Sequence, residues 1–500
     1  MTGSRVPFFI SILLTILSAV LLYLSFPNNL SLFGYNLCAF VFAVPLLFAL
    51  EKTSAAGRAV LGLIFGYVFH GLVVGWFIPY SLPGYFFFIS VLTVQPLIFC
   101  VLYRRPSSRR LSALFVPALW VASEYARGLL MQGESWNIGY TQSFNVYLIQ
   151  VSSIFGSWII SFLLIFVNYG IYQSIKEPRH RRRYAQAILI LLGGFYIYGF
   201  ISVKFPPREE TLSVATLQPD IHYPSHISMA DSLRIAGQQI RLTGKIPHRW
   251  NPDLVIWPET AVPSDFTRDP DMLPAVQEAA RRQGAYFLIG AAIDEEAGLF
   301  NGVVFLDPDG TVIDIYKKRY LVPFSEYQPT GGMWNVIDAF VPNTSQNFVK
   351  GSRPGVFQFP AGEGRMAGRR FAVAVCSEDN ISSLFRRYRL KGAEFAVILL
   401  NNGWFKNKTG LIMHGEHSIM RAVENRIPVI RSSNNGWTAL IDRYGRVDTE
   451  GLAGVRQKKI FHYQIHPNKD VSVYSIIGDT FCWICSAFVI MSLFYEKRRV

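Results

Sequence analysis

The chain has 500 residues, 51% hydrophobic, 15% aromatic and only 16% charged, with a mean hydropathy of +0.25 and a formal charge of +14. That composition excludes an ordinary soluble protein of this length, because the apolar residues exceed what one globular core can hold. Four of the five cysteines, Cys38, Cys100, Cys482 and Cys485, fall in apolar runs, so residues 204–473 keep only Cys376. An internal disulfide and a cysteine-based zinc site are thereby excluded from that stretch.

A membrane-spanning helix needs about 20 predominantly apolar residues. Runs of that kind fall at 7–26, 35–50, 59–79, 84–103, 111–130, 151–175, 184–203 and 474–495, and predict a multi-pass α-helical membrane bundle of eight helices. Within the fifth, Glu124 and Arg127 stand three apart on one face, where an ion pair or a substrate contact would offset the cost of burying charge. The following Gly133 to Gln142 stretch, with Trp136 and Tyr140, suits the headgroup layer and a lipid entrance.

Lys and Arg accumulate in alternate connections: Arg5; Lys52 and Arg58; Arg104, Arg105, Arg109 and Arg110; Lys176, Arg179, Arg181, Arg182 and Arg183; and Lys497, Arg498 and Arg499. The intervening connections 27–34, 80–83 and 131–150 carry neither. By the positive-inside rule both termini are cytoplasmic and the long segment between the seventh and eighth helices lies on the far face, the periplasm of a bacterium. The positive charge is therefore largely a topology signal, and no nucleic-acid partner is expected. The expected domains are 1–203, a bundle of seven helices; 204–473, an extracytoplasmic domain; and 474–500, a last helix with a short cytoplasmic tail.

Residues 204–473, roughly 270, suffice for an independent core. Apolar runs at 212–217, 254–257, 286–289, 303–306, 371–375, 396–400, 428–431 and 439–441 read as strands. Helical patterns at 228–243, 270–283, 381–391 and 412–426 lie between them, so the class is α/β. Asp307-Pro-Asp-Gly310 is a hairpin turn by composition.

Two strands end in reactive groups: Leu254-Val-Ile-Trp-Pro-Glu259 delivers a carboxylate, and Phe371-Ala-Val-Ala-Val-Cys376 a thiol. Open α/β sheets bind ligands at the carboxyl ends of strands, so Glu259 and Cys376 are expected to meet. Ser377 to Asn380 read as a helix start, whose positive end would favour thiolate. Taken alone, Cys376 reads as a core residue and the Lys317-Lys318-Arg319 cluster as a solvated face.

Trp257-Pro-Glu259-Thr-Ala261, then Tyr316-x-Lys318-x-x-Leu-Val-Pro-Phe324-x-Glu326, then Cys376-Ser377-Glu378 together resemble the Glu-Lys-Cys triad motifs of the nitrilase superfamily. Later segments, Leu400 to Phe405, Arg421 to Arg431 and Asn434-Asn-Gly436, resemble that family too. With the membrane spans included, the whole chain resembles the bacterial apolipoprotein N-acyltransferase family. The resemblance implies a nitrilase-like αββα sandwich with Glu259 as general base, Lys318 as oxyanion stabiliser and Cys376 as nucleophile. Glu326, Ser377 and Glu378 would support or orient them, and Phe324 and Trp404 would wall the lipid cleft. It further implies a phospholipid acyl donor, typically phosphatidylethanolamine, a diacylglyceryl apolipoprotein acceptor, no cofactor and no metal, in a monomer of the inner membrane. Ser377 and Ser325 stand where that family usually has Tyr and Gly.

Two rivals are a membrane-tethered amidase and a non-catalytic homologue. Eight spans exceed the single anchor an amidase needs, and a complete triad argues against a scaffold. His414-Gly-Glu-His417 lacks the HExxH spacing of a zinc hydrolase.

Overall fold

The computed structural model describes residues 7–79, 81–104, 109–204, 210–223, 227–329, 347–404, 408–448 and 450–497. The chain divides into two compact units: residues 1–206, 407–416 and 476–500, and residues 207–406 and 417–475.

The first unit is helical: α1 (Phe8–Ser25), α2 (Ala43–Leu50), α3 (Ala55–Val73), α4 (Leu82–Leu102), α5 (Arg109–Met131), α6 (Trp158–Lys176) and α7 (Arg181–Lys204). Helices stand at all eight places marked by the apolar runs. Among the described residues five are long and apolar enough to cross a membrane: Phe8–Ser25, Ala55–Val73, Leu82–Leu102, Trp158–Lys176 and Pro178–Lys204. The other three depart for local reasons. The run at 35–50 breaks between a 3-10 turn, Asn36–Phe40, and α2. Buried Asn168 of α6 bridges that break, donating to the Ala39 carbonyl at 2.9 Å and accepting from the Ala43 N–H at 2.7 Å. α5 carries Glu124 and Arg127, both buried, and the Glu124 Oε1 accepts the Ile138 N–H at 2.7 Å. The C-terminal run is interrupted at Gly478, whose φ is 60°, into Val473–Ile477 and a helix from Thr480 to Lys497.

The second unit contains two sheets. Strands β1 (Leu212–Gln218), β2 (Leu254–Val262), β3 (Tyr286–Glu295), β4 (Gly298–Leu306), β5 (Val312–Lys317) and β11 (Lys459–Ile465) form one, in the order β11-β1-β2-β3-β4-β5. β6 (Val356–Gln358), β7 (Arg370–Val375), β8 (Ala396–Leu400), β9 (Val429–Ser433) and β10 (Ala439–Ile441) form the other, in the order β10-β9-β8-β7-β6. β1, β2 and β3 run parallel, as do β7, β8 and β9; the outer strands are antiparallel. No apolar run announces β5, β6 or β11, since polar residues interrupt β5 and β11 and β6 is only three residues long.

Both faces of the central strands are apolar, and the two-residue period sorts them. Leu254 and Ile256 join Val373, Val375, Val397 and Leu399 in a core shared by the two sheets. Val255 and Trp257 point the other way, into a core with residues of α8 (Met229–Thr243) and α9 (Met272–Gln283). Phe305 of β4 meets Phe371 of β7 edge-on at 5.3 Å, which ties the layers together. α10 (Ser382–Leu390) covers β7 on the outside, which yields the helix–sheet–sheet–helix layering. α11 (Lys408–Asn425) follows β8 in the chain.

Candidate active site

Glu259 sits in an irregular stretch of β2, and Cys376 directly after β7 in the opposite sheet. Glu259 lies where β2 loses its regular register with β3, between Trp257 and Val262. Thr260 has a φ of 59° there. Gly290 of β3 makes the irregularity possible, because a Cβ at that position would lie 2.3 Å from the Pro258 carbonyl oxygen. The buried Glu259 carboxylate accepts the Asn301 side-chain amide at 2.8 Å on Oε1 and the Asn401 N–H at 2.8 Å on Oε2. Burial pushes its pKa up, against the pull of Lys318 and of those two donors; Glu326 adds to the rise.

Lys318 follows β5, its N–H bonded to the Asn301 backbone carbonyl at 2.8 Å and its side chain 1% exposed. Its ammonium pairs with Glu326 Oε2 at 2.8 Å. Glu326 also accepts the second Asn301 amide hydrogen at 2.9 Å and the Val322 N–H at 2.8 Å. Burial alone would lower the Lys318 pKa, but Glu326, Cys376, Glu259 and Glu378 outweigh it and hold the ammonium above its ordinary range. A fully buried lysine stays charged here because acids surround it.

Cys376 opens a 3-10 turn, Cys376–Asn380, directly after β7, and has a φ of 51°. A non-glycine residue in that region is strained, and the strain persists only where surrounding contacts fix the turn. Glu378 supplies them. Its buried carboxylate accepts the Tyr316 hydroxyl at 2.8 and 3.0 Å, the Arg319 N–H at 2.9 Å, the Tyr320 N–H at 3.2 Å and the Val375 N–H at 2.9 Å. One side chain thereby ties the lysine segment to the cysteine turn. Ser377 is half-buried in the same turn, at the start where N–H groups lack helical partners.

The thiol corrects one expectation. A helix start predicts thiolate, but burial and the Glu259 charge push the Cys376 pKa well up, with Lys318 opposing. Desolvation of a buried anion exceeds the partial charge of one short turn. Burial thus favours the neutral thiol over the thiolate at Cys376.

Phe324 is half-buried with a φ of 63° in the turn closed by its N–H to the Tyr327 carbonyl at 2.8 Å. The Trp404 side chain lies outside the described residues. His417 of α11 has its Nδ1 3.9 Å from Asp379 Oδ1; the other Asp379 oxygen is taken by Arg431 at 2.9 Å and Ser418 at 2.7 Å. Asn301 and Gly290 escape a reading of the sequence alone, and Asn401 is reached there only as part of the Leu400 to Phe405 segment, without a role. The available signal is a buried Asn followed by Gly inside an otherwise apolar strand, Phe300-Asn-Gly-Val303, since strands are depleted in both.

Residues 18–170 match the family model described as apolipoprotein N-acyltransferase N-terminal domain, and residues 201–455 the one described as carbon-nitrogen hydrolase. The chain is similar to an apolipoprotein N-acyltransferase of Geobacter metallireducens, 28% identical over 98% of this chain and 96% of that one. It is similar also to apolipoprotein N-acyltransferase 1 of Treponema denticola, 27% identical over 97% and 96%. Among solved structures, a Saccharomyces cerevisiae member of branch 10 of the nitrilase superfamily is 18% identical over 54% of this chain and 93% of that one, with a TM-score of 0.38.

Proposed function

We infer the function from one premise: this chain belongs to the carbon-nitrogen hydrolase family, and it carries the N-terminal domain of the apolipoprotein N-acyltransferases as well. It acts as an acyltransferase in lipoprotein maturation, an integral membrane protein taking acyl chains from phospholipid and giving them to a lipoprotein amine. The observation that carries the mechanism is the hydrogen-bonded set Glu259, Asn301, Glu326 and Lys318, whose charges act on the Cys376 thiol.

In the first half-reaction Glu259 takes the thiol proton as sulfur attacks an ester carbonyl of the phospholipid. The Lys318 ammonium, with the Ser377 N–H, takes up the oxyanion charge. The proton on Glu259 passes to the leaving alkoxide, so a lysophospholipid departs and a thioester remains on Cys376. In the second, the neutral α-amine of the diacylglyceryl-cysteine attacks the thioester, Glu259 receives its proton, and the thiol is restored as the amide leaves. Phe324 and Trp404 are proposed as cleft walls that keep water from the thioester.

The proposed topology has eight crossings, both termini cytoplasmic and residues 204–473 in the periplasm, as the alternation of Lys and Arg between the helices supports. Anchoring raises the local concentration of two substrates that live in the same membrane face.

The test is intact-mass analysis of purified protein incubated with phosphatidylethanolamine. One acyl chain is expected on the wild type and none on Cys376→Ala. Amide hydrolysis by wild type with no lipid adduct would favour the amidase instead.

A further inference from the structure

Asn301 touches all three polar partners of the site. One side-chain amide hydrogen goes to Glu259 Oε1 at 2.8 Å, the other to Glu326 Oε1 at 2.9 Å, and its backbone carbonyl accepts the Lys318 N–H at 2.8 Å. Two carboxylate oxygens can face only the donor end of an amide, so both hydrogens are committed, and each favours the ionised form of the acid it faces. Two carboxylates sharing one site ordinarily force a proton onto one of them. Here a neutral double donor lies between them, at residue 301 opposite Ala292 of β3, with Gly302 next along, where a Cβ would lie 2.6 Å from Ile293.

We infer that Asn301 is a positioning residue that keeps Glu259 ionised and separated from Glu326, so that Lys318 pairs with Glu326 and Glu259 stays available as the base. The inference rests on the reading of Glu259 as base. The other groups whose charge bears on Glu259 are Lys318 and Glu326 after β5, Cys376 after β7, and Tyr223 ahead of α8. Asn401 supplies the remaining donor through its N–H. Removing the Asn301 donor leaves Glu259 with less stabilisation of its charged form, and its proton then comes off at higher pH.

The experiment is the pH dependence of Cys376 alkylation by iodoacetamide in the full-length protein in detergent, with acyl-adduct formation from phosphatidylethanolamine measured alongside. Wild type, Glu259→Gln, Asn301→Ala and Asn301→Asp are compared. Asn301→Ala is expected to lose about ten- to a hundredfold in acylation rate and to shift the acid limb up by about one pH unit. Asn301→Asp keeps the volume but sets a third acid between the two, and is expected to lose more; it stands in if Asn301→Ala fails to fold. A lower plateau with an unmoved acid limb in both variants makes Asn301 a packing residue and overturns the inference. If Glu259→Gln keeps the wild-type profile, the base assignment itself falls. If Glu259→Gln loses the acid limb while both Asn301 variants keep it, only the positioning role falls.

Discussion

Glu259 stands in the irregular stretch of β2 and Glu378 in the turn after β7 of the opposite sheet, both are buried, and burial raises the pKa of both while Lys318 opposes it. They differ in how their oxygens are used. Glu378 receives donors from Tyr316, Arg319, Tyr320 and Val375, which fill its accepting positions with groups that cannot move without unfolding the turn. Glu259 receives two, from Asn301 and Asn401, and keeps room for a proton. Equal burial thus comes with different donor sets among the described residues, which is the contrast that the proposed roles of Glu378 as scaffold and Glu259 as base rest on.

The largest effect that tests this contrast is expected at Glu259. Glu259→Gln keeps the shape and removes the proton acceptor, so Cys376 acylation should fall by about a hundred- to ten-thousandfold with little change in thermal melting. A loss of melting temperature without that rate loss would make Glu259 a second scaffold. For Glu378→Gln the expectation is reversed: an amide facing four donors costs about 2 to 4 kcal/mol of stability, read by denaturant melts in detergent. If Glu378→Gln melts like wild type but cannot be acylated, the contrast fails from the other side.

Gly290→Ala comes next, because its Cβ would press on the Pro258 carbonyl and displace Glu259 from its donors. A stability loss of about 1 to 3 kcal/mol is expected, with acylation falling further than melting. Tyr316→Phe removes one of the Glu378 donors and should cost about 1 kcal/mol, leaving the acylation rate within a few-fold.

The pH profile sharpens the same comparison. As the proposed base, Glu259 would work only when ionised, and its folded pKa is raised, so the acid limb of acylation should lie above the ordinary glutamate range. For stability the sign is opposite to that of a salt-bridged carboxylate. A raised folded pKa favours the protonated fold, so Glu259 opposes folding above its unfolded pKa, and that opposition fades as pH falls through the folded value. Glu259→Gln should therefore flatten this component of stability, measured as melting temperature against pH.

How much is legible in the sequence follows from where each property resides. A short apolar run leading into one polar residue is a local pattern, so the runs ahead of Glu259 and Cys376 and the turn at Asp307 to Gly310 can be read directly; in the structure β2 continues past Glu259 to Val262, and Gly310 has a φ of 82° and closes onto the Asp307 carbonyl at 3.0 Å. The positions of the helices and the alternation of Lys and Arg are equally local, being sums over one stretch of chain. β11 is not, because it is held by pairing antiparallel with β1, Ser213 standing opposite Gln464 and Leu217 opposite Ile460. These partners come from opposite ends of the second unit, so no local pattern announces the strand.

What the sequence by itself determined is therefore the two apolar runs that lead into a carboxylate and a thiol, the positions of the membrane helices, and the alternation of Lys and Arg between them, because each depends on neighbours in the chain. Tertiary structure alone decided which donors each carboxylate receives, that Asn301 lies between two acids, that Gly290 makes room for Glu259, and that burial raises the Cys376 pKa. Those properties depend on desolvation and on donors brought from distant strands, and neither exists until the sheets have packed.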